Sequence, residues 1–155
     1  MIQYRFALPQ DDVQLAEMKW QHALEDSRVY HEPEPAPAGH DRFVQQFCSF
    51  LRREQAWQIL VAEEEGRILS ALFLYFVPKC PGPNSSSDCI AYLTNVFTLP
   101  AFRSRGIGAA LLEQAKAHAR SRRCELLFVW PSPRSVDWYC RNGFTPENDL
   151  LQCDL

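Results

Sequence analysis

A chain of 155 residues with 46% hydrophobic and 23% charged residues matches one globular domain around one core, so residues 1–155 are expected to fold as a single domain. Its formal net charge of −3 provides no broad phosphate-binding surface, which argues against nucleic acid as a partner. The longest apolar run, Leu69 to Val77, is interrupted by Ser70 and is too short to span a bilayer, so no membrane association is expected.

In chain order, Ile2 to Ala7 alternates apolar and polar residues and reads as a first strand. Asp11 or Asp12 then caps a helix whose stripe is Val13, Ala16, Trp20, Ala23 and Leu24. The proline-laden segment 31–40 cannot be helical. Asp41 is expected to cap a second helix, with Phe43, Phe47, Phe50 and Leu51 on one face. Strands follow at about Gln58–Glu63 and Ile68–Val77, joined by the hairpin Glu64-Glu65-Gly66-Arg67. The second of these is apolar at nearly every position, as in a strand covered on both faces.

After a Pro/Gly/Ser-rich loop from Pro78 to Asp88, a fourth strand spans about Ile90 to Leu99. Gly106 to Ser121 carries the helical stripe Ile107, Ala110, Leu111, Ala115 and His118. Leu126 to Trp130 reads as a buried strand, and Arg134–Arg141 as a short helix stopped by Gly143. Phe144 and Leu150–Leu155 supply final strands. The order is β-α-α-β-β-β-α-β-α-β-β.

Met1-Ile2-Gln3-Tyr4-Arg5 lacks the charged-then-apolar pattern of a secretory leader, so a cytoplasmic location with reduced thiols is expected. None of the six cysteines forms a C-x-x-C pair, and no metal site is expected. Cys80 and Cys89 flank one loop and read as free thiols; Cys140, with no histidine beside it in sequence, reads as a bystander rather than a nucleophile.

The segment that carries chemistry is Arg103-Ser104-Arg105-Gly106-Ile107-Gly108-Ala109, between a strand and a helix. Two glycines let the backbone approach a ligand closely. Free amides at a helix start, aided by the helix dipole, favour an anion, and Arg103 and Arg105 add positive charge. The physical reading is a diphosphate-binding turn. A nucleotide-hydrolase phosphate loop needs Lys-Ser or Lys-Thr after its last glycine, and Ala109-Ala110 stands there instead. The dinucleotide fingerprint needs three glycines early in a β-α-β unit, and this turn has two, late in the chain.

With Arg103-x-x-Gly106-x-Gly108, the chain resembles the GNAT superfamily of N-acetyltransferases, whose pattern is Gln/Arg-x-x-Gly-x-Gly/Ala after the fourth strand. Asn95 to Phe102 looks like that family's lead into the turn, and Ala110-Leu111-Leu112 like its helix start. Farther on, Trp138-Tyr139-Cys140-Arg141-Asn142-Gly143-Phe144 resembles the family's Tyr-x-x-x-Gly-Phe ending. The resemblance implies an α/β (α+β) GNAT fold: a central mixed, mostly antiparallel sheet flanked by about four helices.

The resemblance also implies roles. Backbone groups of Val96, Phe97 and Thr98 would pair with the pantetheine arm of acetyl-CoA, and amides from Ser104, Arg105, Gly106, Ile107, Gly108 and Ala109 would hold the diphosphate. Ser132 stands where relatives often carry an asparagine that touches the cofactor. The fourth and fifth strands splay apart in the family to admit the thioester. Tyr139 takes the place of the tyrosine that protonates the departing thiolate, and a phenol suits that task at neutral pH. Asn95 stands where many relatives have a glutamate base, leaving Glu32, Glu34 and Asp88 as loop carboxylates to consider.

The implied reaction is transfer of an acetyl group from acetyl-CoA to a primary amine, without a metal. An acidic segment around Glu25, Asp26, Glu32 and Glu34 suggests a cationic acceptor by long-range attraction. Homodimers are common in the family, so the resemblance also implies a homodimer. The competing class is a non-catalytic acyl-CoA sensor or interaction module on the same fold, which the missing acid at Asn95 keeps open.

Overall fold

The computed structural model describes residues 1–146 and Cys153. Among these residues five strands, β1 (Gln3–Phe6), β2 (Trp57–Glu64), β3 (Arg67–Pro78), β4 (Cys89–Thr98) and β5 (Cys124–Val129), lie in sequence order in one sheet. Every neighbouring pair is antiparallel except β4 and β5, which run parallel. Among the described residues four α-helices accompany them: α1 (Asp12–Tyr30), α2 (His40–Arg53), α3 (Ile107–Ser121) and α4 (Val136–Arg141). The mixed, mostly antiparallel sheet with four helices is the expected architecture, and its order holds through α4. The final strand expected at Leu150–Leu155 lies outside the described residues, apart from Cys153. Phe144 is not in a strand; its ring meets that of Tyr139 edge-on at 5.2 Å.

Strand alternation sorts the core into two layers. Ile59, Val61, Ala71 and Phe73 face one way and pack with Leu15 and Met18 of α1 and with Phe47 and Leu51 of α2. Leu60, Leu72 and Leu74 face the other way and pack with Leu111, Leu112 and Ala115 of α3 and with Tyr139 of α4. The near-continuous apolar run of β3 follows from this double coverage, and each fully buried leucine there contributes about 1.5–3 kcal/mol. The β2–β3 turn is made by Glu65 and Gly66, both left-handed at φ +53° and +78°, as a two-residue hairpin of this twist requires.

Some expectations are corrected. Val13 is 54% exposed, because α1 turns Leu15, Ala16 and Met18 inward instead. Neither Asp11 nor Asp12 caps α1 with its side chain: the Asp11 carboxylate turns back to the Leu8 amide at 2.7 Å and to Arg5. The segment 31–40 is not wholly non-helical: Pro37–Gly39 forms a 3-10 turn, with its proline at the first position where no amide is needed, and α2 begins at His40, so Asp41 lies within its first turn rather than capping it. Strand β5 is the sheet edge among the described residues, which leaves Leu126 48% and Trp130 58% exposed rather than buried. Cys89 pairs across the parallel ladder with Cys124, while Cys80 is exposed in the loop.

Strand β4 carries the irregularity that shapes the site. Ala71 pairs with Phe97 and Phe73 with Thr94, so Asn95 and Val96 together oppose the single residue Leu72. Asn95 absorbs this bulge at φ +50°, a region that asparagine tolerates better than most residues.

Candidate active site

The parallel ladder of β4 and β5 ends at the pair Leu93 and Val129. Beyond it β4 kinks at Asn95, while β5 gives way to Trp130 and Pro131, and the two strands part. A cleft of about 720 Å³ opens there, running from the bulge to the start of α3 and bounded by α1 and α4. It collects Val96, Phe97, Thr98, Arg103, Ser104, Gly106, Ile107, Gly108, Ala109, Ser132 and Tyr139. Arg105 does not line it; its guanidinium lies 5.2 Å from the centre of the Phe102 ring.

At one end of the cleft lies the glycine turn. Ser104 and Gly106 are left-handed, at φ +60° and +76°, and this alternation curls successive amides toward one side. Among the described residues, none of the six amides from Ser104 to Ala109 has an acceptor; the first backbone bond of α3 is Ala110 to the Gly106 carbonyl, at 2.9 Å. A methyl group placed on Gly106 would meet nothing within 4 Å, so the space before these amides is open. Gly108 is tighter: a methyl group there would lie 3.1 Å from Thr98 Oγ1 and 3.6 Å from the Trp138 ring. A row of unsatisfied donors at a helix N-terminus, facing an open cleft, fits a diphosphate.

The wall along β4 is partly engaged. Ser70 Oγ donates to the Phe97 carbonyl at 3.2 Å, and Arg103 Nε donates to the Thr98 carbonyl at 2.9 Å. Ser132 is tied into the turn ahead of α4, its hydroxyl 3.0 Å from Ser135 Oγ. Tyr139 is 7% exposed, and burial, with a smaller contribution from Tyr92, pushes its phenol up to about 12.

Helix α1 supplies residues that sequence reasoning missed. Lys19 Nζ donates to Asn95 Oδ1 at 2.7 Å. His22 stacks on the Phe97 ring with centroids 4.8 Å apart, and its Nε2 lies 3.2 Å from Asp26 Oδ2. Its buried Nδ1 has no partner among the described residues. Burial holds this imidazole below its ordinary pKa, partly offset by Asp26; Lys19 and Arg134 push the same way as burial, and Glu25 opposes them. Glu25 receives both outer nitrogens of Arg103, at 2.9 and 2.6 Å, and lies 2.8 Å from Arg134 Nη1. The signal available in sequence was three polar residues, Lys19, His22 and Asp26, on the inward side of a helix whose apolar contacts are Leu15 and Met18.

The loop carboxylates fall elsewhere. Glu34 pairs with Arg28 and Asp88 with Arg123, and neither they nor Glu32 line the cleft. Among the described residues, no cluster of three or more His, Cys, Asp or Glu is arranged to hold a metal ion, and no helix is long and apolar enough to cross a membrane.

Residues 19–144 match the model of the Acetyltransferase (GNAT) family. Among solved structures, the chain is similar to one described as a predicted acetyltransferase from Clostridium acetobutylicum, solved with acetyl-CoA; the two are 22% identical with a TM-score of 0.73, over 99% of this chain and 96% of that one. A GCN5-related N-acetyltransferase from Ralstonia eutropha is 22% identical with a TM-score of 0.72, over 99% of both chains. Glucosamine-6-phosphate N-acetyltransferase from Arabidopsis thaliana is 15% identical with a TM-score of 0.65, over 99% of this chain and 98% of that one. At these identities the structural likeness is one of fold.

Proposed function

The chain belongs to the Acetyltransferase (GNAT) family, a family of acyltransferases, and from that membership we propose that it transfers an acetyl group from acetyl-CoA to a primary amine of a small molecule or peptide by direct attack. The observation that carries this reading is the run of acceptor-free amides from Ser104 to Ala109 opening into the same cleft as Tyr139 and the Asn95 bulge.

Acetyl-CoA supplies the activated thioester. The Ser104–Ala109 amides hold its diphosphate, and the β4 backbone at Val96, Phe97 and Thr98 runs beside its pantetheine arm. An amide near Val96 stabilises charge on the acyl oxygen. Tyr139 donates its phenolic proton to the leaving sulfur; its raised pKa keeps that proton in place throughout the neutral range. His22, its pKa lowered by burial and its Nε2 held by Asp26, lines the cleft and takes the amine proton on Nδ1, the ring nitrogen that has no partner among the described residues. Much of the rate comes from holding amine and thioester together away from water.

One observation favours a second reading, a non-catalytic acyl-CoA-binding module: the bulge carries a neutral amide, Asn95, where a carboxylate base is common in the family. Release of free thiol from acetyl-CoA, followed with and without a panel of primary amines, separates the two. Amine-dependent release is expected. Tight acetyl-CoA binding with no release for any amine would leave only the binding module.

A further inference from the structure

The residues that α1 places opposite β4 and the turn after it run in order along the cleft. Lys19 meets Asn95, His22 meets Phe97, and Glu25 meets Arg103. Arg103 begins the diphosphate turn, so Lys19 lies at the far end, beside the bulge where the acceptor must enter.

The carboxylates at this wall are already engaged. Glu25 is held by Arg103 and Arg134, and Asp26 by His22 and Arg134. Glu17, on the next turn of α1, is bonded to His40. An incoming cation would have to displace one of these partners. Pairing of Glu25 and Asp26 thus weakens, at this wall, the attraction that the acidic segment suggested.

Lys19 presents the opposite situation. Its ammonium is partly buried, and among the described residues no carboxylate lies within ion-pair distance; its bonded partner is the neutral Asn95 amide. Desolvation lowers its proton affinity, and Asp26 offsets this only in part. Such a group gains most from an anion brought beside it. With Lys19 bonded to its oxygen, the Asn95 amide still has its NH2 donors to offer, which again suits an anion. The exposed indole of Trp130, packed on Tyr92 at 5.0 Å, forms an apolar wall of the same cleft.

We propose that the acceptor is an amine that also carries an anionic group, a carboxylate or a phosphate, and that Lys19 pairs with that group at the Asn95 end of the cleft. This rests on the acetyl-transfer reading above. The anion fixes the acceptor while its amine faces the thioester, and Trp130 covers the apolar part of a molecule such as an aromatic amino acid.

The test uses matched acceptors at saturating acetyl-CoA: phenylalanine against phenethylamine, and O-phosphoethanolamine against ethanolamine. The anionic member of at least one pair is expected to have a kcat/KM about tenfold or more higher, the size of one charge-assisted contact. The pair that shows the preference tells carboxylate from phosphate. Lys19→Gln should bring that ratio within about twofold of unity through KM, and Lys19→Arg should keep most of it. Equal or better use of the neutral amines, or a ratio unchanged in Lys19→Gln, overturns the proposal.

A binding measurement separates this idea from the catalytic one. Calorimetry with CoA present should find N-acetylphenylalanine bound more tightly than N-phenethylacetamide, with the difference lost in Lys19→Gln. That result supports the anion site even if no amine releases thiol, an outcome that would sink acetyl transfer alone. No Lys19-dependent difference between the two compounds counts against the anion site.

Discussion

Leu93 and Val129 face each other as the last rung of the parallel β4–β5 ladder, and the cleft starts where that pairing stops. The parting has a physical cause on each side. On β4, the extra residue at the bulge increases local twist and turns the strand through left-handed Asn95. On β5, Pro131 and Pro133 lack the amides needed to continue a ladder. Two strand edges thus open toward a shared gap, and an extended ligand carrying amides of its own can take the place of the missing partner.

At Gly106 backbone strain and charge have separable effects. Gly106→Ala fits the open space but forces a methyl-bearing residue to φ +76°, costing about 1 kcal/mol of stability. Its acetyl-CoA affinity should fall only a few-fold. Gly106→Asp puts a carboxylate against the diphosphate and should weaken binding about a hundredfold or more. Isothermal titration of both variants checks this; equal affinities for Asp and Ala would contradict it.

Tyr139→Phe should lower kcat by about 10²–10⁴ while leaving the acetyl-CoA Kd unchanged, since the phenol is needed only as the thiolate departs. Because burial pushes the phenol up to about 12, wild-type turnover should show no loss from Tyr139 ionisation below about pH 10. Steady-state rates paired with calorimetry read both parts. Unaltered turnover in the variant removes Tyr139 from the mechanism.

The base should show in the acid limb of kcat/KM. His22 acts when neutral, so activity falls as pH drops through its pKa. Burial holds that value below the usual 6.5, and the limb should therefore lie below pH 6.5. Asp26 favours the charged ring, so Asp26→Asn should move the limb to lower pH. A limb that stays put in Asp26→Asn, or that persists in His22→Gln, assigns the proton to another group.

The turn at 103–109 was legible because its information is local: two glycines, flanking arginines and a helix start within seven residues. The double burial of β3 was legible because an apolar run needs no partner to be recognised. The acceptor side was not. Lys19 and Asn95 are 76 positions apart, and on its own Lys19 looks like any lysine on an amphipathic helix. Glu25 and Asp26 read as free acids because arginines 78 and 108 positions away, Arg103 and Arg134, neutralise them only in the fold. Leu126 and Trp130 read as buried because hydrophobicity alone does not tell a central strand from an edge.

Asp11 should be a stability determinant with a clear pH signature. Its nearly buried carboxylate takes two bonds from Arg5, at 2.6 and 3.1 Å, and one from the Leu8 amide. The bond to Arg5 is the main cause of its depressed pKa, with the Leu8 amide adding to it. The folded value lies below the unfolded one, so the contribution is complete above about pH 4 and is lost as pH falls through the folded value. Asp11→Asn should cost about 2–3 kcal/mol at pH 7 and flatten the acid side of the stability profile. Urea unfolding between pH 2 and 7 measures both, and parallel profiles for the two proteins would refute the assignment.

The most direct test of the central claim follows the backbone amides of residues 104–109 by nitrogen–proton correlation spectra during titration with acetyl-CoA, ATP and NAD. Acetyl-CoA should move the Ser104–Ala109 signals together with those of Val96 to Thr98 at sub-stoichiometric to equimolar ratios, while ATP and NAD should leave the β4 signals in place. Shifts confined to other surfaces, or none at all with acetyl-CoA, would contradict it.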